Sequence, residues 1–171
     1  TVLVMMGSMG YANAAVEIVE QLDASSDDIS VIAVCGSNKS LKEKLDALST
    51  KKELKVYGFC DNISLLMDSC DCIVTKPGGL TTSEALAKGL PIIMANPIPG
   101  QEDRNVEFLL NNGAALKVSS TFPVDEAIYQ IFKNTERLDG LRRMTRVLGR
   151  GASVKRITEF ILELDNQPKE G

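Results

Sequence analysis

The stretch Asp71-Cys-Ile-Val-Thr-Lys-Pro-Gly-Gly-Leu-Thr-Thr-Ser-Glu-Ala-Leu-Ala-Lys-Gly-Leu-Pro-Ile-Ile-Met94 decides the fold. It reads as strand, glycine turn, helix, strand. Cys72 to Val74 is a short apolar run of β-forming residues, and Pro77-Gly78-Gly79 breaks it. Thr81, Thr82 and Ser83 offer capping hydroxyls for a helix that carries Glu84, Ala85, Leu86 and Ala87. Gly89 ends that helix, Pro91 bars its continuation, and Ile92-Ile93-Met94 begins another buried strand. A glycine turn that feeds a helix leaves N–H groups unpaired at the positive end of the helix dipole, which is the chemistry of an anion site. Glu84, about one turn inside, is placed to accept hydrogen bonds from vicinal hydroxyls. Phosphate donors beside a diol acceptor point to a nucleotide. The plainer alternative is a turn followed by a carboxylate that the dipole favours.

Outward from this stretch the same rhythm repeats. Val2 to Met6 is a buried strand, and Gly7-Ser8-Met9-Gly10 leads from it into a helix over 13–22. Strand 29–35 ends at Gly36-Ser37-Asn38, which caps a polar helix over 41–48. Strand 54–57 follows, and Asp61 and Asn62 cap a helix over 63–68. Beyond Met94, Pro97, Pro99 and Gly100 interrupt regular structure before a helix over 102–111. Strand 114–118 and helices over 124–133, 138–148 and 154–164 complete the chain, with a frayed polar tail over 166–171. Strands alternating with helices predict an α/β fold: a doubly wound, six-stranded parallel sheet covered on both faces. Ligands of such sheets lie beyond the carboxyl ends of the strands, near the switch point. The loops after strands one, three, four and five meet at that edge.

The chain has 171 residues, enough for one domain spanning 1–165 with a full core. Its net charge of −4 gives no case for nucleic acid. Cys35, Cys60, Cys70 and Cys72 have no metal-ligand spacing, and without histidine no zinc site can be completed, so they read as reduced thiols and no metal is expected. The lack of histidine also removes the commonest general base, so a base would come from elsewhere. With the opening directly in a strand, this fits a fragment or a subunit.

Gly7 to Gly10 suits a diphosphate as readily as an ordinary strand-to-helix turn. It is no dinucleotide fingerprint, and no P-loop is present. Gln101 and Asn105, four apart, are expected on one helix face, where their amides suit a polyhydroxylated ring. The segment 136–156 carries Arg137, Arg142, Arg143, Arg146, Arg150, Lys155 and Arg156 against Glu136 and Asp139. As one helical stretch it would be either a solvated face or a contact for an anionic membrane surface.

Thr75-Lys-Pro-Gly-Gly-Leu-Thr-Thr-Ser-Glu-Ala85, Gly89-Leu-Pro-Ile-Ile93, Pro97-Ile-Pro-Gly-Gln-Glu102 and Asn105 resemble the C-terminal donor-binding domain of diacylglycerol glycosyltransferases. These are the monogalactosyldiacylglycerol synthases and processive diacylglycerol glucosyltransferases of glycosyltransferase family 28, and the resemblance runs over essentially the whole chain. It implies one Rossmann-like half of a GT-B fold, with a missing N-terminal domain that binds diacylglycerol and supplies the base. It implies a UDP-glucose or UDP-galactose donor, no metal, and an inverting transfer giving a β-linked product. No residue of this chain is expected to act as the catalytic base. By position, Gly7, Ser8, Met9 and Gly10 would line the diphosphate, and Phe59 and Cys60 would hold uracil. Gly78, Gly79, Leu80 and Thr81 would lie along the diphosphate and sugar. Glu84 would take the ribose, and Gln101, Glu102 and Asn105 the hexose. Met6 departs from the glycine that relatives often have. The whole protein would be cytoplasmic and peripheral on the inner face of the cell membrane. A subunit of a two-chain transferase, a nucleotide-sugar sensor and a UDP-sugar epimerase are the rival readings.

Overall fold

The computed structural model describes residues 1–7, 12–151 and 153–165. Six short strands are β1 (Val2–Met5), β2 (Val31–Val34), β3 (Leu54–Tyr57), β4 (Cys72–Thr75), β5 (Ile92–Met94) and β6 (Ala115–Lys117). They form one parallel sheet in the order β3-β2-β1-β4-β5-β6. The chain therefore works outward from β1 to one edge, returns to the centre at β4, and works outward again. This is the doubly wound order with its switch point between β1 and β4. The register sets Val2 beside Cys72 and Met5 beside Thr75, so both central strands end at the same level.

Strand composition follows position. All four residues of β4 are buried, and all are apolar except Thr75. At the edge, β3 alternates: Leu54 and Val56 pack on the core while Lys55 and Tyr57 face solvent. Helices α1 (Ala12–Ala24), α2 (Lys39–Asp46) and α6 (Val124–Lys133) cover one face, burying Ile18, Leu22, Leu45, Ile128 and Ile131 on Val2, Val4, Val74 and Ile93. Helices α3 (Ile63–Asp68), α4 (Gly79–Lys88) and α5 (Asp103–Asn111) cover the other, burying Met67, Ala85 and Leu109 on Leu3, Ile73, Ile92 and Met94. Helix α7 (Thr135–Leu148) packs along α4 and α6 and closes the layer, giving Leu141 to the first core and Met144 and Leu148 to the second. In α8 (Ser153–Asp165) Val154, Ile157, Phe160 and Ile161 are exposed.

Several local expectations need correction. Thr81, Thr82 and Ser83 do not cap α4: Gly78 is the N-cap, in extended conformation, and the helix begins at Gly79. The turn itself is free of side chains, so the helix starts as soon as Pro77 is passed. Asn62 occupies the N-cap of α3 without a side-chain cap bond. Asn38 does cap α2, its Oδ1 accepting the Leu41 N–H at 3.0 Å. Helix α7 starts at Thr135, three residues before its first apolar residue, because Asn134 caps it by accepting the Arg137 N–H at 3.1 Å. The basic segment is not one helical face. It breaks at Gly149, which is extended, and several of its cations have structural partners: Arg142 pairs with Asp71 at 3.1 Å, Arg137 donates to Gln130, and Arg146 lies over Gly89.

The break at Gly149 is required by space. A Cβ built there would lie 2.3 Å from the Leu86 carbonyl oxygen. The end of α7 therefore rests on the backbone of α4 at a distance that only glycine permits. Gly89, with φ 67°, ends α4 in the left-handed conformation expected of a helix-terminating glycine.

Candidate functional site

The site is built at the carboxyl edge of the sheet, where β1 and β4 part. Thr75 ends β4, and its buried hydroxyl donates to the Met5 carbonyl at 2.6 Å, which locks the two strand ends together. Gly7 follows β1 with φ 80°. Lys76 follows β4 and runs its side chain across Gly7, where an added Cβ would meet Lys76 Cε at 3.2 Å. Pro77 and Gly78 then turn the chain into α4. Among the described residues nothing lies within 4 Å of a Cβ added to Gly79, and Leu80 is 85 % exposed, so the first turn of α4 is open on the described side. Its leading N–H groups have no intrahelical acceptors, which leaves a donor array for an anion.

Glu84 lies on α4 beyond that turn, exposed, and lines a groove of about 160 Å³ with Ala87, Lys88 and, from α3, Ile63, Ser64 and Met67. The wall opposite Glu84 is therefore the helix that Phe59 and Cys60 lead into. Phe59, in the loop before that helix, is largely exposed, and Cys60 is half-buried. Gly7, Gly78, Gly79, Leu80 and Thr81 thus lie at the carboxyl edge where β1 and β4 end, Phe59 and Cys60 follow β3 at the same end of the sheet, and Glu84 lies farther along α4, facing α3. Ser8, Met9 and Gly10 lie outside the described residues.

The third part of the site is the loop between β5 and α5. Asn96 takes a positive φ of 48° and Gly100 one of 80°, which folds the Pro97–Gly100 segment back on α5. The Gly100 N–H donates to Asp103 at 2.7 Å. Gln101 lies in this turn, exposed, and not on the helix, so the expected shared helix face with Asn105 does not form; α5 begins at Asp103 with Glu102 as its N-cap residue. Asn105 donates from Nδ2 to the Pro77 carbonyl at 2.8 Å and so ties α5 to the glycine turn. Glu102 is 4 % exposed. Its Oε2 accepts the Ile98 N–H at 2.9 Å, and its Oε1 stands 3.2 Å from Lys76 Nζ.

Lys76 is the residue that sequence reasoning missed. Its signal was present: a cation directly after a fully apolar run, at the edge where ligands of this fold bind. Two wider grooves, each of about 420 Å³, lie elsewhere. One lies between α1 and the loops after β5 and β6, around Ala14, Glu17, Pro97 and Ser119. The other surrounds Asp27, Asp71 and Arg142. Among the described residues, neither is lined by those expected at the site, and size alone does not place chemistry in them. Burial pushes the Cys72 thiol up to about 12 and also raises Cys35 and Cys70; Cys35 and Cys72 are core thiols, and Cys70 is half-buried against the core.

An α/β domain with this strand order and an open helix start beside the switch point belongs to the class of doubly wound domains whose ligands bind at the carboxyl edge of the sheet. The chain belongs to the glycosyltransferase family 28 C-terminal domain family, whose model matches residues 1–157. It is 36% identical over 163 residues to a processive diacylglycerol beta-glucosyltransferase of Bacillus subtilis (strain 168), an alignment covering 94% of this chain and 42% of that protein. It is 38% identical over 133 residues to the protein of that name from Bacillus cereus (strain AH187), covering 75% of this chain and 34% of the relative. The chain thus spans under half the length of these relatives. Among solved structures, Acinetobacter baumannii MurG matches with a TM-score of 0.78 at 20% identity, over 95% of this chain and 49% of that one. Anabaena Alr3699/HepE in complex with UDP-glucose matches with a TM-score of 0.69 at 17% identity, over 95% and 48%. These likenesses show the shared fold. No helix among the described residues is long and apolar enough to cross a membrane.

Proposed function

We propose that this domain, residues 1–165, binds the UDP-hexose donor of an inverting glycosyltransferase that glycosylates diacylglycerol. The observation that carries the reading is the open start of α4 beside Gly7, with Glu84 farther along the same helix. The diphosphate sits on the helix start, and Glu84 accepts the ribose hydroxyls. Uracil lies toward Phe59 and Cys60, and the sugar toward Gln101 and Asn105. The names of the sequence relatives favour glucose as the sugar and a β-linked product. As the bond to the anomeric carbon breaks, charge develops on the leaving UDP. The α4 N–H groups meet it without reorganising, and no metal is needed. The acceptor site and the base that deprotonates the attacking hydroxyl belong to the remainder of the protein, which works as a peripheral protein at the cytoplasmic membrane surface.

The test is turnover by the full-length protein, this domain together with the remainder that carries the acceptor site, with diacylglycerol in mixed micelles and either UDP-glucose or UDP-galactose, without added metal. Hexosyl transfer to the lipid, faster from UDP-glucose, is expected. A protein that binds UDP yet transfers neither sugar would overturn the transferase reading and leave a nucleotide-sugar sensor.

A further inference from the structure

The Lys76–Glu102 pair joins a lysine to which the sequence assigned no role and a glutamate that the family resemblance assigned to the hexose. We propose that Lys76 is the cation that meets the donor's diphosphate, and that Glu102 is its buried counter-ion, a positioning residue and not a sugar contact. The inference rests on the UDP-sugar reading above.

Three observations carry it. First, Lys76 does not extend into solvent. Its stem crosses Gly7, and its ammonium lies 3.2 Å from a carboxylate on a different loop. A lysine stem has little intrinsic order, so a partner must hold it there. Second, Glu102 is nearly inaccessible, and both of its oxygens are engaged, one by Lys76 and one by the Ile98 N–H. A buried carboxylate needs such partners, and one so enclosed is poorly placed to reach a ligand hydroxyl. Third, the pair stands at the glycine turn. A Cβ on Gly78 would lie 3.4 Å from Glu102 Oε1, so the same oxygen that holds the ammonium also lines the N-cap of α4. The Lys76 side chain keeps 25% of its surface exposed, against 5% for Glu102. An anion arriving at the first turn of α4 therefore meets a lysine side chain that is more exposed than its carboxylate partner. Asn105, bonded to the Pro77 carbonyl, closes the frame that joins the loops after β4 and β5. The arrangement supplies fixed positive charge to a leaving diphosphate from the protein's own side chains.

The experiment compares UDP, uridine and UDP-glucose binding by calorimetry in the full chain, using Lys76→Met, Lys76→Arg, Glu102→Gln and the double variant Lys76→Met/Glu102→Gln. The double variant leaves no buried charge without a partner, so it keeps the test usable if Lys76→Met does not fold. Loss of Lys76 should weaken UDP about tenfold or more while uridine affinity stays the same, and Lys76→Arg should recover part of the loss. Removing Lys76 in the Glu102→Gln background should have the same effect. Glu102→Gln should leave the ratio of UDP-glucose to UDP affinity unchanged. An unaltered UDP-to-uridine ratio without Lys76 would overturn the role of the cation, and a loss confined to UDP-glucose in Glu102→Gln would restore Glu102 to the sugar. If the unmodified chain binds no UDP, the nucleotide reading fails along with this one; if it binds UDP and the ratios do not move, only this inference falls.

Discussion

Replacing Gly149 by alanine adds a single methyl group at the junction of α7 and α4. The new Cβ would lie 2.3 Å from the Leu86 oxygen, 2.9 Å from the Leu86 carbonyl carbon and 3.2 Å from the Thr145 oxygen. All three are backbone atoms, so no side chain can swing aside. Restoring ordinary van der Waals contact requires the two helices to separate by about 1 Å, in an interior packed as densely as a crystal. Overpacking of this kind costs about 1–3 kcal/mol, and the rigid neighbours here place the change at the upper end, about 3 kcal/mol. For a domain of this size that lowers Tm by about 6–12 °C. Gly140→Ala in the same helix is the control. Among the described residues nothing lies within 4 Å of its added Cβ, and alanine is the better helix former by about 0.8–1 kcal/mol, so it should raise stability. Thermal and urea unfolding of the two variants beside the unmodified protein gives the answer. Opposite signs are expected. A Gly149→Ala protein as stable as the parent would refute the close approach of α7 to α4, and with it the packing that seats α4 at the site.

Other outcomes follow from single side chains. Glu84→Ala should weaken UDP by about 1.5–3 kcal/mol through loss of charge-assisted hydrogen bonds, with unfolding unchanged because Glu84 is exposed; titration calorimetry with UDP checks it. The Thr82 hydroxyl is buried without a hydrogen-bond partner among the described residues, so Thr82→Val should be neutral or stabilising by up to about 1 kcal/mol in urea unfolding. The Cys72 thiol is held protonated from its ordinary 9.0 up to about 12, so the folded chain binds more protons than the unfolded chain across that interval. Its contribution to stability is complete below pH 9 and falls by up to about 1.4 kcal/mol per pH unit as pH rises toward 12. Unfolding free energies from pH 8 to 11 should therefore fall less steeply in Cys72→Ala than in the parent, and parallel slopes would contradict this.

The elements most legible in the sequence are those whose local chemistry and tertiary role agree. Cys72 to Thr75 forms a strand because every residue there suits burial, and Gly89 and Gly113 end helices because they adopt the left-handed conformation. Six parallel strands and their helices followed from that rhythm. Legibility was lost where position depends on distant atoms. Thr135 to Arg137 carry no apolar periodicity, and only the Asn134 cap makes them helical. Gln101 and Asn105 have helical spacing, but Gly100 and the Glu102 side chain shape a turn that excludes Gln101 from the helix. Gly149 reads as a linker glycine until Leu86 is set against it. At the candidate site, the placement of Gly78, Gly79 and Glu84 on one turn and helix was legible from one strand–turn–helix unit. Lys76 was not, because its meaning comes from Gly7 and Glu102, on two other loops.

The most direct measurement is calorimetric titration of the full chain with UDP, ADP and NAD, without added metal. Selective binding of UDP is the expected result. Equal binding of all three, or no binding of UDP by the folded protein, would contradict the assignment of this edge of the sheet to a UDP-sugar donor.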